Sequence, residues 1–76
     1  MTNRQTWQTI ALDLKRAANY VSVGSKNKAD YYLTEAKELY MKQTIEGAMK
    51  TIEKFIKFEG NAEDLLLSGS LISIRI

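Results

Sequence analysis

Apolar residues return every three or four positions along the first part of the chain. Trp7, Ile10, Ala11, Leu14, Ala17, Ala18 and Val21 fall on one face of a helix. The spacing predicts a first helix from Asn3 to Ser22, its start capped by Thr2 with Gln5 or by Asn3 alone. Three of these seven positions are alanine, which lets a neighbouring helix approach closely. Val23, Gly24, Ser25 and Lys26 then break the period, and Gly24 suits a helix stop.

A second helix is expected to begin at a cap on Asn27 and to continue through residues 28–59, ending at Gly60. Glu38–Lys42, Glu46–Lys50 and Glu53–Lys57 are i,i+4 pairs with the acid first, the more favourable order. Continuous, this segment is a rod of about 48 Å, against about 29 Å for the first helix. Its apolar face changes side part-way. Ala29, Tyr32, Leu33, Ala36, Leu39 and Tyr40 cluster on one side of the wheel. Met41, Ile45, Ala48, Met49, Ile52, Phe55 and Ile56 cluster nearly opposite. The ordinary drift of about 20° per heptad cannot produce that half-turn. Either the helix breaks near 43–47, or it is continuous and its halves pack on different partners. The local helix signals favour the continuous rod.

Residues 61–68 read as a short third helix, with Asn61 as cap and Glu63 and Asp64 in its first turn. Leu65, Leu66 and Leu67 are consecutive, so they cannot all face one way. In residues 71–76, isoleucine at 72, 74 and 76 alternates with Leu71, Ser73 and Arg75, the period of an extended strand that needs a pairing partner. The expected fold is therefore all-α: an antiparallel helical hairpin with a long second helix, a short third helix and an extended C-terminal tail. The expectation for these 76 residues is one small domain that assembles into an oligomeric helical bundle.

Composition narrows the chemistry. A domain this small hides only about 60% of its unfolded surface, and the chain has no cysteine, so no disulfide offsets the cost of ordering it. With neither cysteine nor histidine, thiol nucleophiles, histidine bases and the commonest soft-metal ligands are all missing. No glycine-rich phosphate loop is present. The reading is a protein without enzymatic activity, cofactor or metal. No apolar run approaches the roughly 20 residues of a membrane span, and a cytoplasmic location, away from membranes, follows as the expectation.

The net charge is only +2, but the first thirty residues carry five basic side chains against two acidic ones. Lys15, Arg16, Lys26 and Lys28, with Tyr20, Tyr31 and Tyr32 nearby, outline a candidate basic patch with stacking aromatics. They carry the alternative reading of a small nucleic-acid-associated regulator acting through its basic N-terminal hairpin. Glu59, Glu63 and Asp64 around Gly60 have the layout of a helix start, not of a calcium loop. Asp13 and Glu38 are a conceivable carboxylate pair across helices, both expected in water.

The first helix is too short to cover all of the long second one. Met41, Ile45, Met49, Ile52, Phe55 and Ile56 would then form an uncovered apolar stripe, larger than a soluble monomer normally shows. That stripe predicts a two-fold homodimer, or a surface for a partner protein's helix. The functional expectation is a small non-enzymatic interaction or assembly protein acting as a homo-oligomer through helical surfaces.

Overall fold

The amphipathic stripe of the N-terminal segment becomes α1, Asn3–Ser22, in a computed structural model that describes residues 3–43, 45 and 47–76. α2 spans Lys26–Met41, α3 is the short helix Ala48–Ile52, a single 3-10 turn covers Glu53–Phe55, and α4 spans Ala62–Arg75. The fold is all-α, with no strand among the described residues. Between α1 and α2 the Ser25 N–H donates to the Tyr20 carbonyl and the Gly24 N–H to the Val21 carbonyl, closing the helix end as the spacing predicts. The Thr2 cap lies outside the described residues. α2 begins one residue before Asn27, after Ser25, so Asn27 sits in its first turn and does not cap it.

α1 lies at the centre. α2 and α4 both pack against it, and the buried residues Trp7, Ile10, Ala11, Leu14, Ala17 and Ala18 serve both neighbours. Tyr32, Leu33, Leu39 and Tyr40 of α2 pack on the core from one side, with Ala36 wholly buried among them. Trp7 meets Tyr40 edge-on, 5.9 Å between ring centroids, and Tyr40 leans on Phe58 at 4.9 Å. The length of α1 predicts Trp7 at the region of Thr44 and Gly47; its ring partner is Tyr40, and Thr44 lies outside the described residues. From the other side α4 contributes Leu65 and Ile72, both fully buried. The two helices come unusually close at Gly69, where a Cβ would stand 2.9 Å from the Ala11 carbonyl oxygen and 3.0 Å from Lys15 Cγ. Lys57 ties the preceding loop to this helix, its backbone N–H donating to Ser68 Oγ at 2.8 Å.

Three expectations are corrected. The long second helix is broken. α2 ends at Met41, the Lys42 and Gln43 N–H groups donate to Leu39 and Tyr40 in a tightened last turn, and Gly47 takes φ 62° and ψ −136°, which side-chain-bearing residues avoid. Local pairs such as Glu46–Lys50 are worth only about 0.2–0.5 kcal/mol each. Burying an aliphatic side chain is worth about 1.5–3 kcal/mol. The break turns Met49, Ile52 and Ile56 into the core, and that gain outweighs the pairs.

The third helix is not short, and the tail is not extended. α4 continues to Arg75 through the segment that alternates like a strand, and the Ile76 N–H donates to the Ile72 carbonyl. A lone strand would leave its backbone groups unpaired, whereas a helix satisfies them within the segment. Ile72 and Ile76 are also four apart, so the helix turns both towards the core, while Ile74 is 78% exposed. At the start of α4 the expected cap is present, Asn61 Oδ1 accepting from the Asp64 N–H at 2.9 Å.

Two substitutions test this packing by thermal and urea unfolding. Gly69→Ala should lower stability by about 1–3 kcal/mol, because the added methyl presses on backbone, despite alanine's better helix propensity. Ile52→Ala should cost about 2–4 kcal/mol as a core cavity. An exposed Ile52 on a continuous helix would show almost no loss.

Candidate functional site

The predicted basic patch is divided by the fold. Lys15 turns towards α4 and its Nζ donates to Ser73 Oγ at 3.1 Å. Arg16 lies over the Tyr32 ring, 5.7 Å from its centroid, and Lys28 over Tyr20 at 5.4 Å. Tyr20 and Tyr32 are themselves parallel, 3° between planes and 5.7 Å between centroids, with Tyr31 edge-on to Tyr32. Two stacked rings, each with a cation over it, fasten the outer side of the α1–α2 hairpin. Each of the two stacked rings thus already holds a ring and a cation as neighbours, and Tyr31 stands largely in solvent. Lys26 is elsewhere, lining a hollow with Asp30 and Glu59. The tyrosines and two of the four bases are brought together as expected. The four bases are not brought together as one positive surface.

A groove of about 530 Å³ runs between the C-terminal half of α1 and the start of α4. Lys15, Arg16, Asn19 and Ser22 line one wall and Ala62, Glu63 and Leu66 the other. Its charges are of both signs. Asp64, one of the three carboxylates near Gly60, folds back over that glycine, so close that a Cβ there would meet its Oδ2 at 2.8 Å. Among the described residues no three metal-ligating side chains converge. None of the described helices is long and apolar enough to cross a membrane.

Asp13 is buried, only 1% exposed, on the face of α1 that carries Ile10 and Ala17. Its Oδ2 has no hydrogen-bond partner, and neither has the buried Trp7 Nε1, among the described residues. Burial first, and the nearby Glu35 carboxylate second, push the Asp13 acid up to about 6, while Arg16 pulls the other way. The expected partner, Glu38, is not the carboxylate that acts on it. A position three residues after Ile10 and four before Ala17 belongs to the buried arc, and that spacing was the available signal for Asp13. Burial likewise raises the Tyr40 phenol, with the Glu53 carboxylate adding to the effect.

The predicted oligomer stripe divides too. Met49, Ile52 and Ile56 are core, and Ile45 is half-buried against it. Only Met41, 81% exposed, and Phe55, 57% exposed, remain in solvent. The apolar surface lies instead on α4, where Leu66, Leu67 and Ile74 are each more than half exposed. The run Leu65-Leu66-Leu67 was the sequence signal for it, since a helix that buries Leu65 must show its neighbours.

The pH dependence of stability follows from Asp13. Its acid titrates near 6 in the folded chain and near its ordinary 3.8 in the unfolded one. Between those values the folded chain holds the extra proton, so stability falls as pH rises, and the full cost is present above about 6. Asp13→Asn should therefore be more stable than wild type at pH 7.5, by about 1–3 kcal/mol, with the difference closing towards pH 4. Urea midpoints of both proteins across that range check this. A difference that does not change with pH would mean that Asp13 carries no buried charge.

No protein-family model, no curated protein and no solved structure matches this chain.

Proposed function

We propose that this chain is a small interaction protein without enzymatic activity, which works in the cytoplasm as a homo-oligomer through its helical surfaces. The observation that carries the reading is α4, apolar on both sides. A helix packed on one neighbour normally turns a polar face to water, yet this one covers its inner face on α1 and also leaves Leu66, Leu67 and Ile74 in water. The divided basic residues and the tyrosines already stacked on one another give the nucleic-acid reading less support.

The energies place such an association in a reversible range. Two copies meeting through these residues would bury six large aliphatic side chains, already part-covered, for about 6–12 kcal/mol. Association itself costs about 4–15 kcal/mol. The surplus is at most about 8 kcal/mol, so a micromolar dissociation constant is the tight limit and an obligate dimer is not expected.

Sedimentation velocity between about 1 and 100 µM tests the reading. The average mass should climb from the 8.7 kDa of one chain towards twice that value. A mass fixed at one chain throughout would overturn it. Binding to duplex DNA or RNA at about 50 mM salt, weakening steeply as salt rises, would support the basic hairpin instead.

A further inference from the structure

We infer that the outer face of α4 is a self-complementary seam, through which two copies of the chain pair with their α4 helices antiparallel about a two-fold axis near Ser70. The inference rests on the self-association proposed above and adds the surface, the orientation and the register. Glu63, Leu67, Ser70 and Ile74 are spaced four, three and four apart. That spacing keeps them in one line along a helix, as at the seam of a coiled coil. The line lies opposite Leu65, Gly69 and Ile72, which are buried on α1. Leu66 flanks it on one side and the half-buried Leu71 on the other.

A seam of this spacing fits another helix, and its charges select a second copy of the same one. Glu63 stands in the first turn of α4 and Arg75 in the last, both exposed. They are about 18 Å apart along the axis. A parallel pair would set Glu63 against the partner's Glu63 and Arg75 against the partner's Arg75, with the helix dipoles aligned. An antiparallel pair brings each acidic end towards the partner's basic end and opposes the dipoles. In that register Leu67 faces the partner's Ile74, twice over, and the small Ser70 lies at the crossing, where it lets the helices approach. An isologous pair closes on itself and leaves no free copy of the face, so it ends as a dimer and not a filament. Leu12, Val23, Tyr31, Met41 and Phe55, the other exposed large side chains among the described residues, are scattered over α1, the turn after it, α2 and the 3-10 turn and make no comparable line.

The absence of cysteine makes the orientation directly readable, since a single introduced cysteine is the only thiol. Under mild oxidation Ser70→Cys should form a disulfide-linked dimer at least about tenfold faster than Glu63→Cys, because only residues near the axis meet their own copies within disulfide reach. Leu67→Glu should stay folded by circular dichroism, since Leu67 is exposed, and should weaken association at least about thirtyfold in sedimentation. Ile74→Lys should do the same. Equal cross-linking by both cysteines would mean a parallel pair, and would overturn the register. A wild type that associates regardless of Leu67→Glu and Ile74→Lys would overturn this seam while leaving self-association standing. A wild type that stays monomeric defeats both, and its recruitment to phosphatidylcholine vesicles, lost in Leu67→Glu, would give the face to a lipid surface.

Discussion

The close approach of α4 to α1 at Gly69 is the constraint on which the rest of the fold depends. With no disulfide and a single central helix, the chain must use α1 as core for two neighbours at once. One flank of α1 takes α2 and the other takes α4. The small residues Ala11, Ala17, Ala18, Ala36 and Gly69 let the backbones come near enough for Trp7, Ile10, Leu14, Leu65 and Ile72 to share one interior. A side chain at Gly69 would press on the Ala11 carbonyl, which belongs to α1's own hydrogen-bonded backbone and cannot swing aside as a side chain can. Ser68, next to it, takes the loop N–H of Lys57 and so fixes the start of α4 along α1.

That arrangement also explains why the middle of the chain breaks. α2 and α4 occupy the flanks of α1, and the short α3 packs against α4. The segment after Met41 reaches that place only by leaving the axis of α2. Met49, Ile52 and Ile56 reach the core because Gly47 lets the chain redirect; a rod would have carried them away from it. Helix formation in isolation is decided by weak local terms, and tertiary burial overrides them here.

How much of this was legible in the sequence follows from the range of each signal. α1, its stop at Gly24 and the cap at Asn61 are written in periods and short motifs, and the fold keeps them. The half-turn phase change in the second segment was legible as well; what was not was its cause, since a break and a change of partner leave the same pattern on a wheel. The isoleucines at 72, 74 and 76 were ambiguous for a related reason. Spacing of two marks a strand, but it also contains a spacing of four, and only the nearby α1 decides between them. The pairing of tyrosines with Arg16 and Lys28 was foreseeable in kind. Its geometry depends on the register of α1 against α2, which no single-sequence pattern contains. Asp13 stood within the apolar arc by its spacing from Ile10 and Ala17, but its charge set that signal aside, because a charged residue there is normally taken to sit at the edge of the arc.

The distribution of polar and apolar groups is partly inverted in this small chain. A carboxylate lies inside with one oxygen unpartnered among the described residues, while leucines and an isoleucine of α4 lie outside. The first costs stability at neutral pH, and the second forgoes stability that burial would supply. Both are tolerable in a chain whose folded form is further stabilised by what it binds, because binding to the folded state adds to its stability by mass action. A second copy on α4 would act from the far side of the helix that Gly69 holds to α1. Burying Leu67 and Ile74 would then oppose the loss of α4 from the core, as well as joining two chains. Association and folding would then draw on the same helix from its two faces, which suits a domain small enough to hide only about 60% of its unfolded surface.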